Sequence, residues 1–368
     1  MFLKDIQLFN YKNYQDKAIS CTPGINCFVG LNGVGKTNIL DAIYYMCMTK
    51  SRFSSTDRNV MRRGATYCRV VADFKIESKK FKLVLKLVPG KRKEFELDKV
   101  VYDKLSDHIG AFPVVIIAPD DTDLVREGSE ARRKFIDNTL SQTDKQYLEY
   151  LLQYNRVLKQ RSALLKMDGQ YMDASDSLLA SYDEQLKAPA EYIFEKRKAF
   201  VEQLQPVFYK YYALISGEKE AVQIQYKSKL HEMSWEEYID AYKLQDIHSQ
   251  RCNAGIHKDD LVFEMNGERV KQFSSQGQQK SFVLALKLSQ YEQLRIAKER
   301  TPILLLDDIF DKLDHNRVNS LMQLLCEETF GQIFITDTDV TRIKKVVEGL
   351  DKPHLIFELE TEEESIEE

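Results

Sequence analysis

The sequence has little of what marks membrane, secreted or zinc-bound proteins. No stretch approaches the ~18 consecutive apolar residues of a membrane span, and the N-terminus alternates charged with apolar residues instead of resembling a signal peptide. No two cysteines form a C-x-x-C pair, so neither a zinc site nor a disulfide framework is expected. These absences favour a cytoplasmic protein. Apolar neighbours predict core thiols for Cys21, Cys27, Cys47, Cys68, Cys252 and Cys326.

What is present is the composition of a folded protein with uneven charge. The 368 residues are 43% hydrophobic and 30% charged, which suffices for two packed domains or one large one and excludes a chain that is disordered as a whole or a collagen. The last eleven residues hold seven Glu and no Lys or Arg, and we expect them to be disordered. Residues 50–104 hold 16 basic and 7 acidic side chains, which favours a polyanion as partner, although a solvated lysine-rich sheet face fits as well.

Glycine, proline and apolar periodicity predict the architecture. The apolar run 25–29, Gly30 and apolar residues at helical spacing over 39–47 predict a strand, a glycine loop and a helix. Alternating residues over 70–97, with a turn at Pro89-Gly90, predict an antiparallel meander with one wet, basic face. The apolar runs 303–306 and 333–335 predict buried strands.

A helical segment separates these regions. Between residues 128 and 217 the breakers are Gly169, Pro189 and Pro206, which predicts a lobe of two helices of about 20 to 30 residues. Ser141 with Asp144 resembles a capping start. We therefore predict an α/β protein with four parts: 1–125 and 251–357 form a P-loop mixed sheet with an antiparallel subdomain, 126–250 form a helical arm lobe, and 358–368 form an acidic tail.

The first chemical motif is a complete phosphate-binding loop, G-x-x-x-x-G-K-T, between the predicted strand and helix. Its glycines let backbone N–H groups surround phosphates, Lys36 can bridge the β- and γ-phosphates, and Thr37 can ligate Mg²⁺. The predicted nucleotide-binding residues are Gly30, Leu31, Asn32, Gly33, Val34, Gly35, Lys36, Thr37 and Asn38.

The second motif is the buried strand PILLLDD, which ends in two carboxylates. At the tip of the strand, Asp307 can hold the metal or its water, and Asp308 can orient or deprotonate an attacking water. An acidic turn after a core strand is the structural alternative. The presence of the phosphate loop favours the catalytic interpretation, with Asp308, Lys36 and Asp307 as catalytic residues.

The third motif is SSQGQQK, followed by a helical run. Serine, glycine and exposed N–H groups at a helix start form a second anion site, which the first loop does not need within one subunit. An ordinary polar helix cap is the alternative.

At these three motifs the chain resembles ABC-type ATPase heads related to SMC proteins. The resemblance implies a homodimer that encloses two ATP molecules, in which signature residues Ser275, Gly277 and Gln278 complete the nucleotide site of the opposite subunit. Leu313-Asp314 resembles the D-loop that crosses such an interface, so Asp314 joins the predicted site.

A narrower resemblance covers nearly the whole chain. Four regions resemble those of the RecF family: residues 8–14 (LFNYKNY), 123–129 and 132–137 (DLVREGS, RRKFID), 154–161 (YNRVLKQR) and 255–261 (GIHKDDL). The resemblance implies an ATP-dependent clamp on double-stranded DNA at gaps or junctions that acts with RecR and RecO to help load RecA. It also implies slow, DNA-stimulated ATP hydrolysis, and phosphate contacts by Lys12 and Asn13.

Some residues depart from the ATPase-head pattern. Asp308 stands where transporter-type heads carry Glu, which predicts slow turnover. Strand 333–335 leads into Thr336 without a switch histidine, and residues 114–123 lack an obvious Q-loop glutamine. A transporter ATPase and a non-hydrolysing, ATP-bridged scaffold are the alternative functions. DNA contacts are predicted from charge alone at Arg58, Arg62, Arg63, Lys79, Lys80, Lys82, Lys91, Arg92 and Lys93.

Overall fold

The chain divides into two compact units. The computed structural model describes residues 1–167, 172–217, 220–310, 315–327 and 329–360. One unit comprises Met1–Asp121, Leu214–Ser216 and Leu284–Glu368, and the other comprises Thr122–Ala213 and Gly217–Val283. The signature segment therefore belongs to the second unit, whereas the sequence division at residue 251 grouped it with the ATPase motifs.

The first unit contains two sheets. The strands are β1 (Phe2–Tyr11), β2 (Tyr14–Ser20), β3 (Ile25–Val29), β4 (Cys68–Ile76), β5 (Lys79–Leu87), β6 (Glu94–Leu97), β7 (Val100–Val101), β8 (Val114–Ile117), β12 (Ile303–Asp307), β13 (Ile333–Asp337) and β14 (His354–Glu358). One sheet is antiparallel, in the order β2-β1-β4-β5-β6-β7. The other is parallel, in the order β14-β3-β13-β12-β8. The helices of the first unit are α1 (Lys36–Met48), α9 (His315–Leu325) and α10 (Val340–Val347), together with the part of α8 (Gln276–Lys298) that begins at Leu284.

The central strands of the parallel sheet are buried on both faces. Every residue of β3, β12 and β13 is buried, as expected for continuous apolar runs in a parallel sheet. Helix α1 contacts strands of both sheets, so its side chains join the two in one hydrophobic core. The predicted strand, glycine loop and helix, the meander of β4 to β6 and the two later buried strands are confirmed.

The second unit is mainly helical. Its elements are α2 (Asp123–Arg126), α3 (Ser129–Thr143), α4 (Lys145–Leu164), α5 (Met172–Ser216), α6 (Trp235–Ser249), α7 (Val270–Phe273), the start of α8 (Gln276–Lys298), β9 (Val222–Lys227), β10 (Asp260–Met265) and β11 (Glu268–Arg269). The three strands form an antiparallel sheet in the order β11-β10-β9. Among the described helices, none combines the length and the apolar character that a bilayer crossing requires.

Helix α5 corrects one prediction. It is 45 residues long and continues through Pro189 and Pro206, so the expected helices of 20 to 30 residues are wrong here. Each proline removes one helical hydrogen bond, but fully buried side chains on both sides of each ring stabilise the helix by packing. Asp144 alone caps α4 by accepting a hydrogen bond from the Tyr147 N–H at 3.0 Å, whereas Ser141 lies inside α3.

The cysteines are free thiols. Cys27, Cys47, Cys68 and Cys252 are buried, as predicted, and Cys21 and Cys326 are partly buried. Burial raises the pKa of the Cys27 and Cys68 thiols to about 12. These thiols are therefore protonated and unreactive at neutral pH.

Strand β14 corrects the predicted start of the acidic tail. Glu358 is its last residue, and the Leu359 N–H donates to the Val29 carbonyl at 2.8 Å. The Leu359 side chain is only 9% exposed and belongs to the core of the first unit. Residues 358–360 are thus part of the fold, and residues 361–368 lie outside the described part of the chain.

Two truncations test this boundary. Ending the chain after Phe357 removes the Leu359 side chain and its backbone hydrogen bond, so we expect the free energy of unfolding to fall by about 2 to 3 kcal/mol. Ending it after Glu360 should change that free energy by less than about 0.5 kcal/mol. Urea denaturation measures both. Equal stability of the two truncated chains would contradict a structural role for Leu359.

Candidate functional site

The phosphate loop connects β3 to α1 and demands glycine at two positions. Gly30 has φ +153°, and a Cβ there would lie 2.4 Å from the Leu359 carbonyl oxygen. Gly35 has φ +104°, and a Cβ there would lie 2.5 Å from Asn13 Nδ2. Both glycines thus combine a left-handed backbone with close neighbours. The loop borders a cleft of about 180 Å³, lined by Asn32, Gly33, Gly35, Lys36, Thr37, Asn38, Asp307, Asp308 and Thr336.

Lys36 lies inside this loop. Its ammonium donates to the carbonyl oxygens of Gly30 and Leu31 at 2.8 and 2.9 Å. Burial lowers the pKa of Lys36, and the nearby carboxylates, chiefly Asp308 and Asp307, oppose this effect. A buried cation at the first residue of a helix is an anion-binding arrangement, because the helix N-terminus adds its own positive potential.

Thr37 and Asp307 meet across the cleft. The Thr37 hydroxyl lies 2.9 and 3.0 Å from the two carboxylate oxygens of Asp307. Adjacent oxygen ligands of an octahedral Mg²⁺ lie about 3 Å apart, so this pair fits two neighbouring positions around such an ion. Burial raises the pKa of Asp307, and hydrogen bonds from Thr336 and Thr37 oppose that rise.

Thr336 is a site residue to which the sequence assigned no role. Its hydroxyl donates to Asp307 Oδ1 at 2.7 Å and accepts the Asp308 N–H at 2.9 Å. Strand β13 neighbours β12 in parallel, so the carboxyl ends of both strands meet at the same sheet edge. That adjacency was the signal that could have identified Thr336. It holds both aspartates of the second motif in place.

Asp308 has a left-handed backbone, with φ +46°. Asp and Asn adopt this conformation more readily than longer side chains, because their short polar groups can hydrogen-bond locally. The strained backbone directs the residue to the cleft that the phosphate loop borders. This conformation gives a physical reason for an aspartate at a position where transporter-type heads carry glutamate.

The two residues predicted from the N-terminal segment differ in their surroundings. Asn13 contacts the phosphate loop: its amide donates to the Val34 carbonyl at 3.2 Å, and its oxygen accepts from Asn38 at 2.7 Å. Lys12 forms an ion pair at 2.7 Å with the buried Asp41 of α1. Asp41 was not predicted; it also accepts hydrogen bonds from Tyr11, Ser51 and the Arg52 N–H.

The signature segment begins helix α8 in the second unit. Ser275 is exposed, and its hydroxyl accepts from the Gln278 N–H at 3.3 Å, while its own N–H donates to Gln278 Oε1 at 2.8 Å. This reciprocal capping leaves the serine at the surface of the unit. Gly277 lies within the first turn. Asp314, the predicted D-loop residue, lies outside the described residues.

The predicted DNA-contacting residues are mostly exposed. Lys93 and Arg62 are the exceptions. The Lys93 ammonium donates to the Thr49 carbonyl at 2.8 Å and pairs with Asp57 at 3.1 Å, so it stabilises the fold. Arg62 is partly buried, and Arg92 donates to the Asp103 carbonyl. The exposed set is Arg58, Arg63, Lys79, Lys80, Lys82, Lys91 and Arg92.

Comparison with known proteins agrees with this geometry. The family model described as "RecF/RecN/SMC N terminal domain" matches residues 2–360. The chain is 44% identical to DNA replication and repair protein RecF of Cytophaga hutchinsonii over 92% of this chain and 89% of the relative. It is 43% identical to that of Flavobacterium johnsoniae over 98% and 100%. A solved structure of the recombination mediator RecF with ATP, in the RecFOR pathway, is 27% identical with a TM-score of 0.84, covering 96% and 95%.

The fold and the site together define the class of protein. A parallel sheet carrying a phosphate loop, joined to an antiparallel sheet and followed by a signature helix, is an ABC-type ATPase head related to SMC proteins. Within that class, the chain belongs to the RecF family.

Proposed function

We propose that this protein binds ATP with Mg²⁺, dimerises on it, and clamps double-stranded DNA during replication and recombinational repair. The observation that carries the proposal is the meeting of the phosphate loop with Thr37, Asp307 and Thr336 in one cleft. The ATP-bound RecF relative and the repair role in the relatives' names support it. RecR-, RecO- and RecA-type proteins are the proposed partners.

Each cleft residue has a proposed part in nucleotide binding. The loop N–H groups and Lys36 would bind the β- and γ-phosphates, exchanging the Gly30 and Leu31 carbonyls for phosphate oxygens. Thr37 and Asp307 would hold Mg²⁺, which neutralises phosphate charge when bound. Asp308 would orient the attacking water. Asn13 contacts the backbone of the phosphate loop, and Lys12 forms an ion pair with Asp41. These contacts favour a role in supporting the loop for both residues.

The dimer is inferred from the signature segment. An exposed serine at a helix start can donate to a phosphate, and Ser275 with the N–H groups around Gly277 would complete the γ-phosphate site of a second copy. Asp314 is proposed to cross the same interface.

Replacing Ser275 tests the dimer. In Ser275→Arg the long side chain occupies the space of the partner's γ-phosphate, so we expect ATP-dependent association to weaken by at least about 30-fold, or about 2 kcal/mol. ATP binding by the monomer should stay within about twofold. Light scattering with ATP and Mg²⁺ measures association. Ser181→Arg, at an exposed serine of α5, is the control and should associate normally; equal association of both variants would overturn the shared site.

DNA binding is proposed to use phosphate contacts by the exposed basic residues. Lys80 and Lys82 are two residues apart on β5, so they share a sheet face. In the double variant Lys80→Ala with Lys82→Ala, we expect weaker duplex binding in the ATP state and a slope of log K against log salt smaller by about 2, because each lost phosphate contact removes about 0.9. Fluorescence anisotropy at several salt concentrations measures the slope.

A matched control uses two exposed lysines of α10. Lys344→Ala with Lys345→Ala removes the same charge elsewhere in the first unit and should leave the salt slope unchanged. If the two double variants lose affinity equally, the effect is one of net charge and the proposed face is wrong. Equal duplex affinity with ATP, with ADP and without nucleotide would contradict the clamp itself.

A further inference from the structure

The signature segment is held by a chain of side-chain hydrogen bonds that ends at Glu220. Gln278 donates from Nε2 to Glu220 Oε1 at 2.9 Å, and the buried Tyr212 donates from its hydroxyl to Glu220 Oε2 at 3.2 Å. The other end of the Gln278 side chain accepts the Ser275 N–H at 2.8 Å. We refer to Tyr212, Glu220, Gln278 and Ser275 as the Glu220 clasp; all four lie in the second unit.

The clasp restrains more than a helix cap does. The reciprocal bonds between Ser275 and Gln278 already satisfy the N–H groups of these two residues at the start of α8. The additional bond comes from a carboxylate on the segment between α5 and β9, far away in sequence. It gives the Gln278 amide a second anchor, so that Nε2 is held by Glu220 while Oε1 accepts the Ser275 N–H. The result is an exposed serine with a defined position.

We propose that Glu220 is a positioning residue for the signature segment, which it holds in the geometry that accepts the partner's γ-phosphate. The inference rests on the proposed ATP-dependent dimer and extends it to a residue outside the ATPase motifs. An anion site made of N–H groups loses affinity when its donors are misplaced, because each hydrogen bond weakens steeply with poor geometry. Glu220 acts through Gln278 and Ser275, and it needs no contact with nucleotide.

The first measurement compares substitutions at Glu220. Glu220→Ala leaves Gln278 and Tyr212 without their shared acceptor, and we expect ATP-dependent dimerisation to weaken by about tenfold. Glu220→Gln keeps an acceptor for Gln278 and a polar partner for Tyr212, so dimerisation should recover to within about threefold of wild type. ATP affinity of the monomer should be unchanged in both. Glu232→Ala, at an exposed carboxylate paired with Lys229 in the same unit, is the control and should dimerise as wild type does.

Two mixtures distinguish positioning in the partner's site from general damage. One mixes Lys36→Ala copies with Glu220→Ala copies. In their heterodimer, ATP bound to the Glu220→Ala copy meets the intact signature segment of the Lys36→Ala copy. The other mixes wild type with copies that carry both substitutions, so that the only heterodimeric site combines wild-type ATP with a damaged signature. Energy transfer between donor- and acceptor-labelled copies reports the heterodimer in each mixture.

We expect the first mixture to form heterodimers at least about fivefold more tightly than the second. If wild type dimerises with ATP but the mixtures do not differ, the positioning role of Glu220 is overturned while the dimer stands. If Glu220→Gln is as weak as Glu220→Ala, the hydrogen-bond mechanism is likewise overturned. If wild type itself shows no ATP-dependent association, the proposed function fails first and the inference fails with it.

Discussion

Replacing Lys36 with alanine should raise the dissociation constant for ATP by about 1,000-fold. The ammonium makes charge-assisted hydrogen bonds of about 1.5 to 3 kcal/mol each, and a triphosphate offers it two phosphate groups. The hydrogen bonds from Lys36 to the Gly30 and Leu31 carbonyls belong to the ATP-free state, so their loss affects the stability of the loop and not the affinity for ATP. Isothermal titration calorimetry of the purified protein with ATP and Mg²⁺ measures the change.

Lys352→Ala is the matched control. Lys352 also lies in the first unit, donates to two backbone carbonyls, of Leu325 and Phe330, and has a pKa lowered by burial. Its removal should cost stability without affecting ATP affinity. ATP should raise the melting temperature of this control and of wild type, but not that of Lys36→Ala. A ligand stabilises the native state only when it binds to that state. An equal loss of ATP affinity in both variants would mean that Lys36 acts through the fold.

Local patterns explain why much of the fold and site was predictable. The phosphate loop is eight consecutive residues between a continuous apolar run and a helical one, so strand β3, the loop and α1 follow from short-range rules. The meander follows from apolar residues at alternate positions and from the turn at Pro89-Gly90. In each case the physical cause lies within about twenty residues of sequence.

The missed features depend on distant partners. Helix α5 passes two prolines because packing against other elements exceeds the local cost of the lost hydrogen bonds. Strand β14 has an ordinary sequence, and its partner is β3, more than 300 residues earlier. Thr336 contacts Asp307 only when β13 meets β12, and Asp41 contacts Tyr11 only when the first strand meets α1. No local pattern contains that information.

If the chain hydrolyses ATP as proposed, replacing Asp308 with asparagine should slow that hydrolysis by about 100-fold, because general base assistance contributes about 10² to 10⁴ in rate. Asparagine has the same size and also tolerates the left-handed backbone of φ +46°, so the fold and the hydrogen bond from the Asp308 N–H to Thr336 should persist. ATP affinity should therefore stay within about threefold. Phosphate release at saturating ATP with duplex DNA measures the rate.

Asp339→Asn is the control for this substitution. Asp339 caps α10 by accepting the Arg342 N–H at 3.0 Å, and it does not line the cleft. Asparagine is an equally good cap, so turnover should equal that of wild type. Asp308→Glu adds the methylene that transporter-type heads have at this position. Glutamate adopts a left-handed backbone at a higher free-energy cost than aspartate, so we expect this variant to be less stable than wild type and to turn over no faster. An unchanged rate in Asp308→Asn would remove this residue from the catalytic group, and no turnover above background even in wild type would favour a non-hydrolysing scaffold.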